Sequence, residues 1–363
     1  MCGIVCQLSP SAARPDARIE LAAQRLAHRG PDDAGLERIG RASLAHRRLA
    51  ILDVAGGHQP LGNEDGSLRL VCNGEIYSHP ELRSRLARRH AFQTRSDSEV
   101  IVHLYEERGR ACVHELDGMF AFALSDGEDL LAARDALGIK PLYWGRDAAG
   151  ALWLASELKA LHGICAELSE FPPGSSYSPG SGLERWSRPA WDDAARPRER
   201  REISDGALIA ALERAVVKRL MSDVPVGVFL SGGLDSSLVA ALMGRHLERV
   251  PSFAVGFESS SDIEAARQAA RALGTEHHER VYDLDELVAA VGAVVYHLES
   301  YDPALVRNAL PCYFVAELAS RHVKVVLTGE GADELFAGYR YLGSLRTSLI
   351  GKSLTLSVRT IAP

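Results

Sequence analysis

Apolar residues in the first half of the chain come in short runs separated by Gly and Asp turns. Ile4-Val5-Cys6-Gln7-Leu8, Arg69 to Cys72, Met119 to Leu124 and Leu152 to Ala155 read as strands. Longer amphipathic stretches at Ile19 to Leu26, Pro80 to Arg88 and Ser98 to Arg108 read as helices. Strands in runs, with helices grouped between them, predict a layered α+β domain. Between Phe171 and Asp205 the composition changes to Pro, Gly, Ser and then charge, which marks a boundary. Beyond it the pattern alternates: helix Asp205 to Met221, strand Val224 to Leu230, helix Ser236 to Leu247, strand Ser252 to Phe257, helix Asp262 to Leu273, strand Glu276 to Val281. A further apolar strand follows at Lys324 to Leu327. Such alternation predicts an α/β doubly wound parallel sheet that binds ligands at the carboxyl ends of its strands.

Length and composition agree with two domains. The 363 residues are 46% hydrophobic and 25% charged, as in a soluble globular protein. A net charge of −7 argues against a nucleic-acid surface. No signal peptide is expected, because Arg14, Asp16, Arg18 and Glu20 interrupt the N-terminal region. No apolar stretch is long enough for a membrane span, so neither a membrane nor a nucleic acid is an expected partner and a cytoplasmic location is expected. The six cysteines would then stay reduced, and no CxxC or Cys/His spacing suggests zinc.

Cys2 follows the initiator Met1 directly. Removal of Met1 would leave a thiol and a free α-amino group on one residue, so that the amine, with an ordinary pKa of roughly 7.7–8.0, could take the thiol proton. In the second half Leu230-Ser231-Gly232-Gly233-Leu234-Asp235-Ser236-Ser237 runs from a strand end into a helix. Its glycines, hydroxyls and free helix-start N–H groups suit a phosphate or pyrophosphate. It lacks the lysine of a GxxxxGK[ST] loop. A second strand end carries Leu327-Thr328-Gly329-Glu330-Gly331-Ala332-Asp333-Glu334, and Asp235 with Asp333 could hold Mg²⁺.

The S-G-G-L-D-S-S loop resembles the pyrophosphatase loop of the ATP pyrophosphatase superfamily. From Cys2 to about Leu342 the chain resembles the glutamine-hydrolysing asparagine synthetase family. The resemblance implies an N-terminal-nucleophile hydrolase domain, a layered α/β/β/α sandwich, over 2–190. An ATP pyrophosphatase-type domain would follow over 204–345, with a tail, 346–363, resembling nothing in the family. Cys2-Gly3-Ile4 matches the nucleophile segment, and His28-Arg29-Gly30-Pro31-Asp32 the R-G-P-D turn. His46 to Asp53 matches the H-x-R-L stretch, which implies that Arg48 grips the glutamine α-carboxylate and that Leu49, Ala50, Ile51 and Leu52 line the glutamine site. Asn73-Gly74-Glu75-Ile76-Tyr77 matches N-G-E-I-Y, with the Asn73 amide and the Gly74 N–H as oxyanion donors. Asp97, in Ser96-Asp97-Ser98-Glu99, would join Glu75 in reading the α-ammonium. Taken singly, Asn73-Gly74 is also a good hairpin turn and Asp97 a good helix N-cap.

The same resemblance implies glutamine, aspartate or another carboxylic acid, and ATP as substrates, with Mg²⁺ and a possible homodimer. Leu230, Ser231, Gly232, Gly233, Asp235, Ser236, Val255, Thr328 and Gly329 would hold ATP. Glu330 would serve acyl-adenylate formation and deprotonation of the incoming ammonia, and Arg307 would stand near acceptor and pyrophosphate together with Glu330 and Asp333. Two departures stand out. Asp302 to Leu310 lacks the hydroxyl residues that touch aspartate in bacterial members. Family members also continue well over a hundred residues past Tyr339-Arg340-Tyr341, whereas this sequence stops at Pro363 with a Ser/Thr-rich stretch that suggests truncation. Relatives that form amides in natural-product biosynthesis, and a chain retaining only glutaminase activity, are the alternative readings.

Overall fold

The computed structural model describes residues 1–11, 16–189, 203–258, 260–336 and 338–339. The tail 346–363, Arg340-Tyr341 and most of the charged stretch before Asp205 lie outside the described residues. The chain forms two compact units: Met1–Pro225 with Val288–Leu310, and Val226–Leu287 with Pro311–Pro363.

The first unit carries twelve described strands: β1 (Gly3–Leu8), β2 (Asp33–Ile39), β3 (Ala42–Arg48), β4 (Leu61–Gly62), β5 (Arg69–Ile76), β6 (Gly118–Ser125), β7 (Leu130–Arg134), β8 (Tyr143–Asp147), β9 (Leu152–Ala155), β10 (Cys165–Glu170), β11 (Ser175–Ser178) and β12 (Gly182–Arg185). They form two antiparallel sheets, in the orders β10-β8-β9-β1-β3-β2 and β12-β11-β7-β6-β5-β4. The helices of this part are α1 (Arg18–Gln24), α2 (His79–Leu86), α3 (Glu99–Arg108) and α4 (Leu158–Leu161), followed by α5 (Asp205–Arg219).

Side chains alternate between the faces of a strand, and this alternation creates the layers. On β6, Phe120, Phe122 and Leu124 pack with Leu82 and Leu86 of α2 and Val100, Ile101 and Leu104 of α3. Ala121 and Ala123 point the other way. They meet Val71 and Ala132 of their own sheet and Ile4, Cys6 and Leu44 of the facing one. Val5, Ala45, Trp153 and Ala155 line the outer face of that second sheet, under Ile19, Ala22 and Ala23 of α1 and Ala160 and Leu161 of α4. Three cores in this succession make the expected α/β/β/α sandwich. Asn73-Gly74 lies inside β5, paired with Ala121 and Phe120, and forms no hairpin turn.

In the second unit the strands are β13 (Val226–Phe229), β14 (Pro251–Gly256), β15 (Glu276–Val281) and β16 (Val325–Leu327). The remaining helices are α6 (Leu234–Met243), α7 (Ser261–Leu273), α8 (Leu284–Leu298), α9 (Pro303–Ser320) and α10 (Ala332–Phe336), of which α8 and α9 each run from one unit into the other. The strands form a parallel sheet in the order β15-β14-β13-β16. The order reverses at β13: β14 and β15 extend to one side and β16 lies on the other. That reversal creates the crevice at the carboxyl ends of β13 and β16 where open α/β sheets bind ligands. Among the described residues no helix is long and apolar enough to cross a membrane.

Candidate functional sites

Cys2 stands immediately before β1. An open cleft beside it is lined by Cys2, Arg48, Leu49, Ile51, Leu52, Gly74, Glu75 and Asp97, among others. The Leu49 N–H reaches Cys2 Sγ at 3.4 Å. Burial nonetheless pushes the thiol pKa up, against the Leu49 hydrogen bond. Burial also lowers the Met1 α-amino group to about 6, so that amine is mostly neutral at pH 7.

The R-G-P-D turn supports Cys2. Arg29 Nε donates to the Cys2 carbonyl at 2.8 Å while its Nη1 donates to Glu157 at 2.8 Å. Gly30 is required by crowding, since a Cβ there would lie 2.3 Å from the Arg47 carbonyl oxygen. Asp32 Oδ2 accepts from the Ala50 N–H at 2.8 Å and so fixes the Leu49 to Ile51 wall. Ala50 itself is buried.

Asn73 and Glu75 share a face of β5 with Val71, the face turned toward the other sheet and hence toward Cys2. Asn73 is buried, and its Nδ2 has no hydrogen-bond partner. A buried amide donor left unpaired costs about 1–3 kcal/mol, a cost that a transient oxyanion could offset. Gly74 allows β6 to approach closely, since a Cβ there would lie 2.6 Å from the Met119 carbonyl oxygen.

Glu75 and Asp97 are both drawn above the usual carboxylate range. Burial is the main cause for each, and the Asp97 charge adds to it at Glu75. Asp97 Oδ2 accepts from the Ile76 N–H at 2.6 Å, so Asp97 is fixed to β5 and does not cap α3, whose N-cap is Ser98. Two neighbouring carboxylates, one buried and one half-buried, form a site for a cation. Arg48 is buried and gives three hydrogen bonds to the 52–54 turn: Nη1 to Val54 O at 3.0 Å, and Nη2 to Leu52 O at 2.9 Å and Asp53 O at 2.7 Å. Arg48 also lines the cleft.

Lys140 is a further member of this group that motif reading passed over. It is buried, its pKa is lowered by burial, and Glu75 and Cys2 oppose the lowering. Arg134 and Asp135 build the turn beneath it: Arg134 Nε donates to the Lys140 carbonyl at 2.7 Å and Asp135 Oδ2 accepts from the Lys140 N–H at 3.0 Å. Its sequence signal is faint, one lysine among five in an arginine-rich chain.

At the strand ends of the second unit, Ser231 and Ser236 hydroxyls lie 3.0 Å apart, and the Ser231 N–H reaches Ser236 Oγ at 3.2 Å. Gly232 has φ +78°, and a Cβ there would lie 2.4 Å from the Ala265 backbone. Gly329 packs against the start of α6, with no room for a Cβ beside Asp235 Cβ at 2.9 Å and Ser236 N at 3.0 Å. The two glycine-bearing motifs, about a hundred residues apart, therefore meet at the β13/β16 crevice. Leu230 is buried, with its N–H on the Phe253 carbonyl, and Val255 is half-buried on β14. Glu330 and Arg307 are exposed, and Asp333 opens α10.

The glutamine amidotransferase domain family matches residues 1–171, and the asparagine synthase family matches residues 207–359, a span that enters the 346–363 tail. An asparagine synthetase [glutamine-hydrolyzing] of Sandersonia aurantiaca is 45% identical, with 94% of this chain and 67% of that protein covered. The chain belongs to the glutamine-hydrolysing asparagine synthetase family. Proteins of the same name in Triphysaria versicolor and, as number 2, in Arabidopsis thaliana are both 46% identical over 94% of this chain. The chain spans 60% and 61% of their lengths.

Proposed function

We propose that this member of the family is a glutamine-dependent asparagine synthetase, with a glutaminase domain over 2–190 and an ATP-using domain over 204–345. The supporting observation is the pairing of Cys2 with the carboxylates of Glu75, half-buried, and Asp97, buried, in one cleft. Neither a cysteine hydrolase for apolar amides nor a structural thiol needs two carboxylates beside the thiol, whereas the α-ammonium of glutamine does. With Met1 removed, the Cys2 amine takes the thiol proton and the thiolate attacks the glutamine side-chain amide. The Asn73 amide and Gly74 N–H hold the oxyanion as a thioester forms and ammonia leaves. Water then releases glutamate.

ATP binds at the β13/β16 crevice, its phosphates on the Ser231 to Ser236 loop and the start of α6, and its adenosine toward Leu230, Val255, Thr328 and Gly329. Asp235 and Asp333 offer hard oxygen donors at neighbouring strand ends. That donor set fits Mg²⁺, which when bound would neutralise phosphate charge. Aspartate attacks the ATP α-phosphorus, giving aspartyl-AMP and pyrophosphate. Ammonia then displaces AMP, Glu330 takes the surplus proton, and asparagine is the product. Arg307 stands with the acceptor and pyrophosphate groups. The protein works in the cytoplasm, as a homodimer.

A different carboxylic acid as acceptor is favoured by one feature, the absence of hydroxyl residues from Asp302 to Leu310. Incubation of full-length protein with glutamine, aspartate and Mg-ATP should give asparagine, AMP and pyrophosphate in equal amounts. Glutamate and AMP without asparagine, when other acids are supplied, would move the acceptor assignment. Glutamate alone would leave a glutaminase.

A further inference from the structure

On the outer side of the sheet that carries Asn73, away from the Cys2 cleft, Glu64, His90, His103 and Glu106 converge. One ligand atom from each lies within 4.8 Å of all the others. His90 Nδ1 is 3.5 Å from Glu64 Oε1 and 3.4 Å from Glu106 Oε2. His103 Nδ1 is 2.9 Å from Glu106 Oε2 and 3.8 Å from Glu64 Oε2. Four ligands placed about 2.0 Å from a tetrahedral zinc ion stand about 3.3 Å from one another; the two separations at Glu106 Oε2 fall on either side of that value, and the looser Glu64 side would draw in on binding.

We propose that these four side chains form a structural zinc site. Two neutral imidazoles and two carboxylates cancel the charge of Zn²⁺, and a N₂O₂ set suits that ion. The surroundings hold each ligand in place. Asn63 Nδ2 donates to Glu106 Oε1 at 2.9 Å, and the Ala91 N–H donates to Glu64 Oε1 at 2.6 Å. His103 is wholly buried. Its Nε2 has no hydrogen-bond partner and faces Glu99 Oε1 at 3.7 Å. With zinc on Nδ1 the ring proton must sit on Nε2, pointing at that carboxylate, which is the carboxylate–histidine–metal arrangement that orients zinc ligands. Glu99 is itself fixed by the Gln93 N–H, the Thr94 N–H and the Thr94 hydroxyl.

The ligands come from three segments: the turn after β4, the connection between α2 and α3, and α3 itself. Zinc would clip that connection, which carries Asp97, to the helix that follows it. Sequence spacing hides the site, because only His103 and Glu106 are neighbours along a helix.

Full-length protein equilibrated with Zn²⁺ and passed over a chelating resin should retain one zinc per chain by elemental analysis. Its Co²⁺ form should show the intense visible bands of tetrahedral coordination. His90→Ala and the more exposed Glu64→Gln should each lose the metal and the bands while keeping glutamate release from glutamine, which reports an intact fold. A strong chelator should lower the wild-type Tm and leave that of His90→Ala unmoved. Wild-type protein without stoichiometric metal would overturn the site, as would equal zinc in both variants, which would place the ion elsewhere, for instance on Cys2. Full loading with manganese or iron instead would overturn the choice of zinc.

Discussion

Around Cys2 the polar groups are charged side chains, Arg48 and Glu75 from strands and Asp97 from the connection before α3, largely withdrawn from solvent. Around Ser231 they are hydroxyls and backbone N–H groups on short turns at the ends of strands. The first arrangement suits a small zwitterion, since Glu75 and Asp97 on one side and Arg48 on the other can meet an ammonium and a carboxylate. The second suits a polyanion, which needs many weak donors and a close backbone approach. Under the proposed function, selectivity for glutamine is held as electrostatic tension in the free protein, whereas the Ser231 to Ser236 loop holds steric room and weak neutral donors.

Four substitutions test that contrast. Cys2→Ala should abolish glutamate release, by at least about 10³-fold, since loss of a nucleophile leaves only binding and oxyanion contributions. AMP formation with ammonia as nitrogen donor should survive, and its loss would break the separation of the two regions. Asn73→Ala should lower kcat for glutamine hydrolysis by about 10²–10³-fold with little change in KM, because the donor acts on charge that develops in the transition state. Steady-state kinetics separate the two parameters. In the other unit, Gly232→Ala forces a side chain onto the Ala265 backbone at a positive φ. ATP-dependent AMP release should fall by about tenfold or more while glutamine hydrolysis stays unchanged.

The smallest effect concerns pH. Glu75 and Asp97 titrate above their unfolded values because burial disfavours their charge. Raised carboxylates bind protons more tightly in the folded state, so the free protein loses stability as pH rises from about 4 through those raised values. Glutamine needs both ionised, and its KM should therefore climb as pH falls through the same window. Glu75→Gln should raise the Tm at pH 7, at about 2–4 °C per kcal/mol relieved, and flatten the rise in KM. An unchanged Tm would show that the tension lies elsewhere.

Much of this was legible in the chain. Cys2, Glu75 and Asp97 meet as the motifs implied, and the two bland readings fail for visible reasons: Asn73-Gly74 is held in a long strand by β6, and Asp97 turns back to the Ile76 N–H. Strands β2 and β3 were obscured because Glu37, Arg38, His46 and Arg47 break the apolar signal. Strand β7 reads weakly because Ala132 and Ala133 carry little side chain. Lys140 escaped notice because its role depends on a fold that brings residues 2, 75 and 140 together, and local spacing carries no trace of that. The four proposed metal ligands were hidden for the same reason.

The alanines of β6 have a meaning beyond filling space. Cys2 precedes a strand of one sheet, while Asn73 belongs to the other and sits directly across from Ala121. The proposed nucleophile and oxyanion donor are thus mounted on two separate plates, and the gap between the plates is lined by methyl groups at Ala121, Ala123 and Ala132. Tolerance at the reacting atoms is therefore specified by residues with no chemistry of their own, as the thickness of a shim fixes the clearance between two machined faces.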